Sequence, residues 1–195
     1  MSDSEKILIE RTKKGDIESF EKLIEKYQVT AFNVAYRMIG NKEDASDITQ
    51  EALIKVFKSI RKFRGESGFS TWFFRIVTNT CIDMVRKESK ITTYSIDKTI
   101  ETEDGSYKRE ISDEKNIPEQ MYEKKEQKER VQKAIGKLPG KYRIAIILRD
   151  IQDFSYEEIS EILDCPLGTV KSRINRGRAL LKEILQKDME LFLED

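Results

Sequence analysis

The stretch SYEEISEILDCPLGTVKSRINRGRALLK, residues 155–182, decides how the C-terminal part of this 195-residue chain folds. Ser155 and Glu158 form a capping box, which predicts the start of a short helix with an apolar side. A turn over residues 164–168 follows, and we expect Thr169 to cap a second, longer helix. Two helices joined by a tight turn that contains glycine are typical of a helix-turn-helix.

The second helix of this motif is strongly basic. Its cations are Lys171, Arg173, Arg176, Arg178 and Lys182, and no acidic residue lies between Thr169 and Lys182. Arginine and lysine on such a helix can donate to guanine O6 and N7 in the major groove and can neutralise phosphates. The charge pattern therefore favours duplex DNA as the partner of this helix. A basic helix face that is only solvated remains the alternative.

Further towards the N-terminus, apolar residues spaced by three and four predict three amphipathic helices. The first follows Asp16 and ends at Gly40, the second is capped by Asn41, and the third begins at Ser70. These elements predict a domain of three or four helices over residues 1–90.

The apolar period disappears between the two halves. Residues 91–118 are rich in Thr, Ser, Asp, Glu and Lys, which predicts a flexible acidic linker, and a plain solvated spacer is an equally simple interpretation. The second domain then covers residues 119–188, with a helix from Glu119 to Lys137 before the helix-turn-helix. We therefore expect an all-α chain of two small helical domains joined by this linker.

The charges of the whole chain cancel, because 36 Lys and Arg residues stand against 36 Asp and Glu residues. By segment, residues 1–90 hold 17 basic and 14 acidic residues, residues 91–129 hold 7 and 11, and residues 130–195 hold 12 and 11. The zero net charge is thus a sum of unlike parts. Excess charge of either sign is excluded as the basis of function.

The composition argues against several other classes of protein. The chain has no histidine, which removes the commonest general base and metal ligand, so the only enzymatic alternative is carboxylate chemistry. Cys81 and Cys165 lie far apart in apolar settings, and we expect both to be buried rather than bridged or metal-bound. No apolar run approaches the roughly 18 residues that span a bilayer, which favours a cytoplasmic protein.

Two further surfaces of the first domain are candidates for binding. On the third helix a polar stripe lies beside aromatic residues, which fits either a platform for single-stranded nucleic acid or ordinary core packing. The stripe comprises Arg75, Asn79, Asp83 and Arg86, and the aromatic residues are Phe69, Trp72, Phe73 and Phe74. On the second helix Asp47, Gln50, Glu51 and Ile54 share one side, which is either solvated or a docking patch for a basic protein.

Three segments together resemble the extracytoplasmic-function (ECF) sigma factors of bacterial RNA polymerase. They are DASDITQE at 44–51, FSTWFFRIVTNTCID at 69–83 and SYEEISEILDCPLGTVKSR at 155–173. The resemblance implies a subunit without catalytic activity of its own. Such a subunit binds core RNA polymerase, recognises the minus-35 and minus-10 promoter elements and promotes DNA melting. An autonomous helix-turn-helix regulator is the competing hypothesis.

The resemblance also implies roles for individual residues, in two domains that correspond to sigma regions 2 and 4. Core polymerase would be bound by Asp47, Gln50 and Glu51. The minus-10 element would be handled by Arg64, Phe69, Trp72, Arg75 and Asn79. Thr169, Lys171, Ser172, Arg173 and Arg176 would contact the minus-35 element. An anti-sigma factor is a further expected partner, whereas no small-molecule substrate, cofactor, metal or membrane insertion is expected.

Overall fold

The structure is a computed structural model that describes residues 2–96 and 119–193, with side chains over 2–87 and 126–188. Every regular element in those residues is helical, which confirms the all-α prediction. The N-terminal bundle consists of α1 (Asp3–Lys13), α2 (Ile17–Ile39), α3 (Lys42–Ser59), a 3₁₀ turn (Ile60–Lys62) and α4 (Phe69–Ile96). The C-terminal unit consists of α5 (Glu119–Lys137), α6 (Gly140–Ile146), a π-helical turn (Ile147–Ile151), α7 (Tyr156–Ile162) and α8 (Leu167–Leu193).

The caps predicted from the sequence define the start and end of α2 and the start of α3. The Asp16 carboxylate accepts from the Ser19 N–H at the start of α2, and Gly40 ends that helix with φ of 89°. A left-handed residue at this position favours glycine, because other side chains are strained there. The Asn41 side chain then accepts two backbone N–H groups at the start of α3. Helix α1, with Ser2 as its cap, was not predicted.

Helix α4 differs from its prediction at both ends. The Gly68 carbonyl accepts from the Trp72 N–H at 3.1 Å, so the helix starts at Phe69 and Ser70 lies in its first turn rather than capping it. The helix also continues through residues 91–96, which the sequence had placed in the linker. Extending a formed helix is much easier than nucleating one, so a weak apolar period does not end it. The rest of the predicted linker, 97–118, lies outside the described residues.

The C-terminal unit has the predicted helix-turn-helix. Ser155 and Glu158 form a complete capping box at the start of α7. Helix α8 begins at Leu167, three residues earlier than a cap at Thr169 predicts, because the Pro166 carbonyl accepts from the N–H groups of Thr169 and Val170 at 2.8 and 3.1 Å. Thr169 therefore lies in the first turn of α8 and does not cap it. No helix in the described part of the chain is long and apolar enough to cross a membrane.

Both cysteines are free thiols. Cys81 is fully buried, as expected, and this burial raises the pKa of its thiol to about 12. Cys165 is only half-buried, which differs from the expectation, because it lies in the exposed turn between α7 and α8. The expectation followed the apolar neighbours in sequence, and the turn geometry leaves one side of this residue open.

An aromatic cluster joins α2 to α4 in the N-terminal bundle. The ring centroid of Tyr27 lies 5.7, 5.3 and 6.0 Å from those of Phe69, Phe73 and Phe74. The three phenylalanines are each at most 2% exposed, and burying one such side chain contributes about 1.5–3 kcal/mol. For these residues core packing is therefore the correct interpretation. Only Trp72 of the aromatic run is half-exposed.

Glu5 is a buried carboxylate that links α1 to α2. Its Oε1 accepts from Lys26 Nζ at 2.9 Å and from the Tyr27 hydroxyl at 2.8 Å. Burial raises the pKa of Glu5, but the hydrogen bonds from Lys26 and Tyr27 and the charge of Lys26 outweigh it, so the net pKa is lowered. The charged form of Glu5 therefore stabilises the folded chain.

We predict that Glu5→Gln lowers the free energy of unfolding at pH 7 by about 1.5–3 kcal/mol, the range for a hydrogen bond to a charged group. Because the folded pKa lies below the ordinary 4.5, the stabilisation is complete above that value and is lost as the pH falls through the folded-state pKa. Urea unfolding between pH 3 and 7 measures both effects. Glu10→Gln is the control, since Glu10 lies on the same helix in an exposed pair with Lys13.

Gly177 allows α8 to approach α6 closely. A Cβ atom at this position would lie 2.8 Å from Ile146 Cγ1 and 3.5 Å from Tyr142 Cβ.

We predict that Gly177→Ala lowers the free energy of unfolding by about 1–3 kcal/mol, because the added methyl group overpacks this contact. Gly136→Ala in α5 meets nothing within 4 Å and should instead stabilise by about 0.5–1 kcal/mol. Thermal unfolding that leaves Gly177→Ala as stable as the parent chain would contradict this account.

Candidate nucleic-acid and protein-docking surfaces

One side of α3 presents acidic and apolar groups to solvent. Asp47, Gln50, Glu51 and Ile54 are all exposed, as their spacing predicts. Glu51 accepts from Lys55 at 2.7 Å, and that hydrogen bond lowers the pKa of its carboxyl group. Next to Ile54, a mostly apolar groove of about 400 Å³ runs between α2 and α3. Its lining includes Ile17, Phe20, Leu53 and Phe57. A protein partner with basic and apolar groups matches such a face.

The loop before α4 and its first turn present a mixed surface. Arg64 extends into solvent with its side chain 83% exposed, 3.8 Å from Glu66. Trp72 is half-exposed, and its ring lies 5.2 Å from Phe63 and 5.8 Å from Phe69. Phe69 itself is 1% exposed. The direct DNA contact expected of Phe69 has no accessible surface here, because the same ring supports Trp72 from the core side.

Further along α4, Arg75 and Asn79 lie on the accessible side of the helix. Arg75 forms an ion pair of 2.5 Å with Asp164, in the turn before α8. Asn79 is exposed and lines two neighbouring depressions of about 390 and 580 Å³. An exposed amide can accept and donate to a base edge, so Asn79 has the chemistry that the resemblance requires.

A groove between α3 and α4 was missed by the sequence analysis. Its depression of about 330 Å³ is lined by the cations Lys55, Arg86 and Lys87 and also by the carboxylates of Glu51 and Asp83. Lys55 and Lys87 belong to different helices, and only the packing of α3 on α4 brings them together. Lys55 pairs with Glu51 and Arg86 with Asp83, so the groove has mixed charge with an excess of one cation. No spacing within a single segment indicates this convergence.

Helix α8 presents its predicted residues in two different ways. Lys171, Ser172 and Arg176 are exposed. Thr169 and Arg173 are half-buried. The Thr169 carbonyl accepts from the Ser172 hydroxyl at 3.0 Å, and Arg173 Nη1 lies 3.7 Å from Cys165 Sγ. The helix therefore offers a basic outer face next to the turn.

Two neighbours of this basic face were not predicted. Arg178 donates to both carboxylate oxygens of Asp150 at 2.5 and 3.0 Å, so this arginine ties α8 to the π-helical turn. The Arg176 side chain beside the Tyr142 hydroxyl lowers the pKa of Tyr142. The sequence alone does not distinguish these two arginines, because they differ only in what the π-helical turn and α6 place opposite them.

Among the described side chains, no group of three or more His, Cys, Asp or Glu residues could hold a metal ion. The accessible features are the acidic and apolar face of α3, the surface of α4 with Trp72, Arg75 and Asn79, and the basic outer face of α8. All three are suited to binding macromolecules.

Both halves of the chain match known families. The model described as Sigma-70 region 2 matches residues 23–91, and the model described as Sigma-70, region 4 matches residues 128–181. The chain is 39% identical over 180 residues to the ECF RNA polymerase sigma factor SigW of Bacillus subtilis, with 91% of this chain and 95% of that protein covered. It is 36% identical over 186 residues to the ECF RNA polymerase sigma-E factor of Escherichia coli K12, with 94% and 95% covered.

Solved structures show the same fold. The sigma factor RpoE of Bartonella quintana, crystallised with the anti-sigma factor NepR, is 25% identical with a TM-score of 0.64, covering 87% of this chain and 98% of that one. CnrH, solved in complex with the cytosolic domain of CnrY, is 24% identical with a TM-score of 0.67, covering 95% and 99%. The likeness to CnrH concerns the fold alone.

Proposed function

The chain belongs to the ECF sigma factors of bacterial RNA polymerase, and from this membership we propose that it binds core polymerase, recognises the minus-35 and minus-10 promoter elements and promotes DNA melting. The observation that carries the proposal is the order of two matched modules, each with an accessible charged face. The chain would act by binding energy and strand capture rather than as an enzyme. This work would take place in the cytoplasm, without a cofactor or small-molecule substrate.

For the minus-35 element, we assign duplex recognition to the outer face of α8. Lys171, Ser172 and Arg176 are exposed there, with Thr169 and Arg173 beside the turn. An α-helix fits the major groove, where an arginine can donate twice to a guanine while lysines neutralise phosphates. Because Arg178 is paired with Asp150, we assign it to holding α8 in place and not to contacting bases.

For the minus-10 element, we assign strand capture to the accessible side of α4 and the preceding loop. Two cations come from Arg64 and Arg75. Trp72 supplies a stacking surface, and Asn79 supplies an amide. Unstacking a base costs a few kcal/mol, and a pocket with a stacking surface offsets that cost. Phe69 would contribute as the buried support of Trp72.

For core polymerase, we assign the acidic and apolar face of α3. The exposure of Asp47, Gln50 and Glu51 supports this role, as does the apolar groove next to Ile54. In domain terms, residues 1–90 would form the region 2 module and residues 119–188 the region 4 module, with α4 extending to Ile96. An anti-sigma factor would control the chain, a proposal supported by its likeness to RpoE, which was crystallised with one.

The decisive experiment is transcription from a promoter selected with purified core polymerase and this chain. Transcription that depends on the chain supports the proposal, and no stimulation at any selected promoter would overturn it. The competing hypothesis, an autonomous regulator, predicts tight sequence-specific binding to duplex DNA without polymerase. The match to a region 2 module over residues 23–91 favours the sigma factor.

We predict that Arg176→Ala weakens binding to minus-35 duplex by about 1–3 kcal/mol, the loss expected for one good base contact. The loss should appear as relaxed discrimination at one base pair when holoenzyme binds a set of single-substitution promoters. Lys187→Ala is the control, because it removes a cation from the same helix far from the turn. Equal, sequence-independent losses in both variants would contradict a reading role for Arg176.

We predict that Asp47→Lys weakens binding to core polymerase about 10- to 100-fold, because a lysine would oppose a basic partner surface. Competition between labelled and unlabelled chains for core polymerase measures the change, and the helical circular dichroism spectrum should stay that of the parent. Glu25→Lys makes the same charge change at an exposed position of α2 and should leave the affinity near that of the parent. If Asp47→Lys binds core polymerase as tightly as the parent chain does, the acidic face of α3 is only solvent-exposed surface and not a docking site.

A further inference from the structure

Arg61 joins the 3₁₀ turn to the end of α1. Its Nε donates to the carbonyl of Lys13 at 3.1 Å. Lys13 is the last residue of α1, and the carbonyls at the end of a helix have no partner within that helix. The helix dipole also favours a cation at this end. The guanidinium of Arg61 therefore completes α1 and holds the turn against it.

The 3₁₀ turn in turn sets the position of an aromatic ring that supports Trp72. Phe63 directly follows the turn, and its N–H donates to the Ile60 carbonyl at 3.0 Å. The side chains of Ile60 and Phe63 are both buried. The Phe63 ring lies 5.2 Å from Trp72 and 5.7 Å from Phe69. A displacement of the turn would therefore move the ring on which Trp72 rests.

Helix α1 is itself held firmly, so it can serve as the anchor of this contact. Ile9 and Thr12 are buried on its inner side, and the carboxylate of Glu5 accepts from two side chains of α2. The helix lies outside residues 23–91, which the region 2 model matches. The family match therefore gives α1 no part in promoter binding, and a part for it has to come from its contacts.

We propose that Arg61 is a positioning residue for minus-10 strand capture, because it fixes the 3₁₀ turn on α1 and thereby holds Trp72 and Arg64 in place. Arg64 follows Phe63 directly, so the same turn determines where the Arg64 side chain leaves the bundle. Arg61 acts through the turn and not through a contact with DNA. The inference rests on the proposed function, since it concerns how the surface assigned to the minus-10 element is held.

The alternative role for Arg61, as an exposed cation, is a direct contact with a phosphate of the strand. The two roles differ in measurable ways. Loss of a phosphate contact lowers the slope of log affinity against log salt by about 0.7 for a single strand and leaves the free chain unchanged. Loss of a positioning contact changes the surroundings of Trp72 before any DNA is bound and leaves the salt slope as it was.

The first measurement uses the free, full-length chain. Trp72 is the only tryptophan of the sequence, so tryptophan emission reports on this one position. Arg61→Ala should increase the quenching of Trp72 by acrylamide, because the turn no longer holds Phe63 firmly beside it. Arg61→Lys retains a charged donor for the Lys13 carbonyl and should bring the quenching back towards that of the parent chain.

The second measurement is the affinity of holoenzyme for the fluorescein-labelled non-template strand of a selected promoter, over a series of salt concentrations. Arg61→Ala should weaken this affinity about three- to tenfold, the range that one lost hydrogen bond allows. The salt slope should not change. Lys14→Ala is the matched control, because it removes an exposed cation next to the same carbonyl and leaves the hydrogen bond of Arg61 in place.

Increased quenching and weaker strand binding in Arg61→Ala, both restored by Arg61→Lys and both absent from Lys14→Ala, support the positioning role. Unchanged quenching or unchanged strand affinity overturns it. A fall in the salt slope beyond that of Lys14→Ala also overturns it and identifies a phosphate contact. Failure of the proposed function would appear separately, as a lack of transcription by the parent chain with core polymerase. The quenching needs no polymerase, so the two failures are distinguishable.

Discussion

The packing of α4 on α2 is the constraint on which the rest of this molecule depends. Three phenylalanines of one helical face, Phe69, Phe73 and Phe74, are buried around Tyr27. Once that face is buried, the helical period leaves Trp72, Arg75 and Asn79 on the accessible side. The same aromatic cluster continues through Phe154 into the C-terminal unit. The strand capture that we propose and the contact between the two units would therefore rely on one set of apolar contacts, and the residues proposed for recognition alternate with core residues within a single short motif.

Much of the architecture could be predicted from the sequence, because it depends on local interactions. Caps and apolar periods identify α2, α3 and α5, and the capping box at Ser155 identifies α7. The burial of Phe69 and the tie between Arg178 and Asp150 could not be predicted, since they depend on which distant segment lies opposite. Periodicity shows that a residue faces inwards or outwards, but not what it meets there.

The sign of the surface charge differs between the surfaces for which we propose different partners, and it does not simply follow the division into domains. The acidic face of α3 is suited to a basic protein surface, whereas the basic outer face of α8 is suited to phosphates and bases. Because affinity for DNA rises with the number of phosphates neutralised, a chain of zero net charge binds DNA weakly by itself. The ion pair with Asp164 also offsets the charge of Arg75 on α4.

The fixation of α8 has a consequence for how promoter preference can diverge. Gly177 presses the helix against α6, and Arg178 anchors it to Asp150, so its rotation about its own axis is set from the inner side. Residues at positions such as 171, 172 and 176 can then be exchanged without disturbing that packing. The residues that stabilise α8 are therefore different from those proposed to contact DNA. Duplicated copies of such a gene can acquire new target sequences through a few substitutions on the outer face while the fold stays the same.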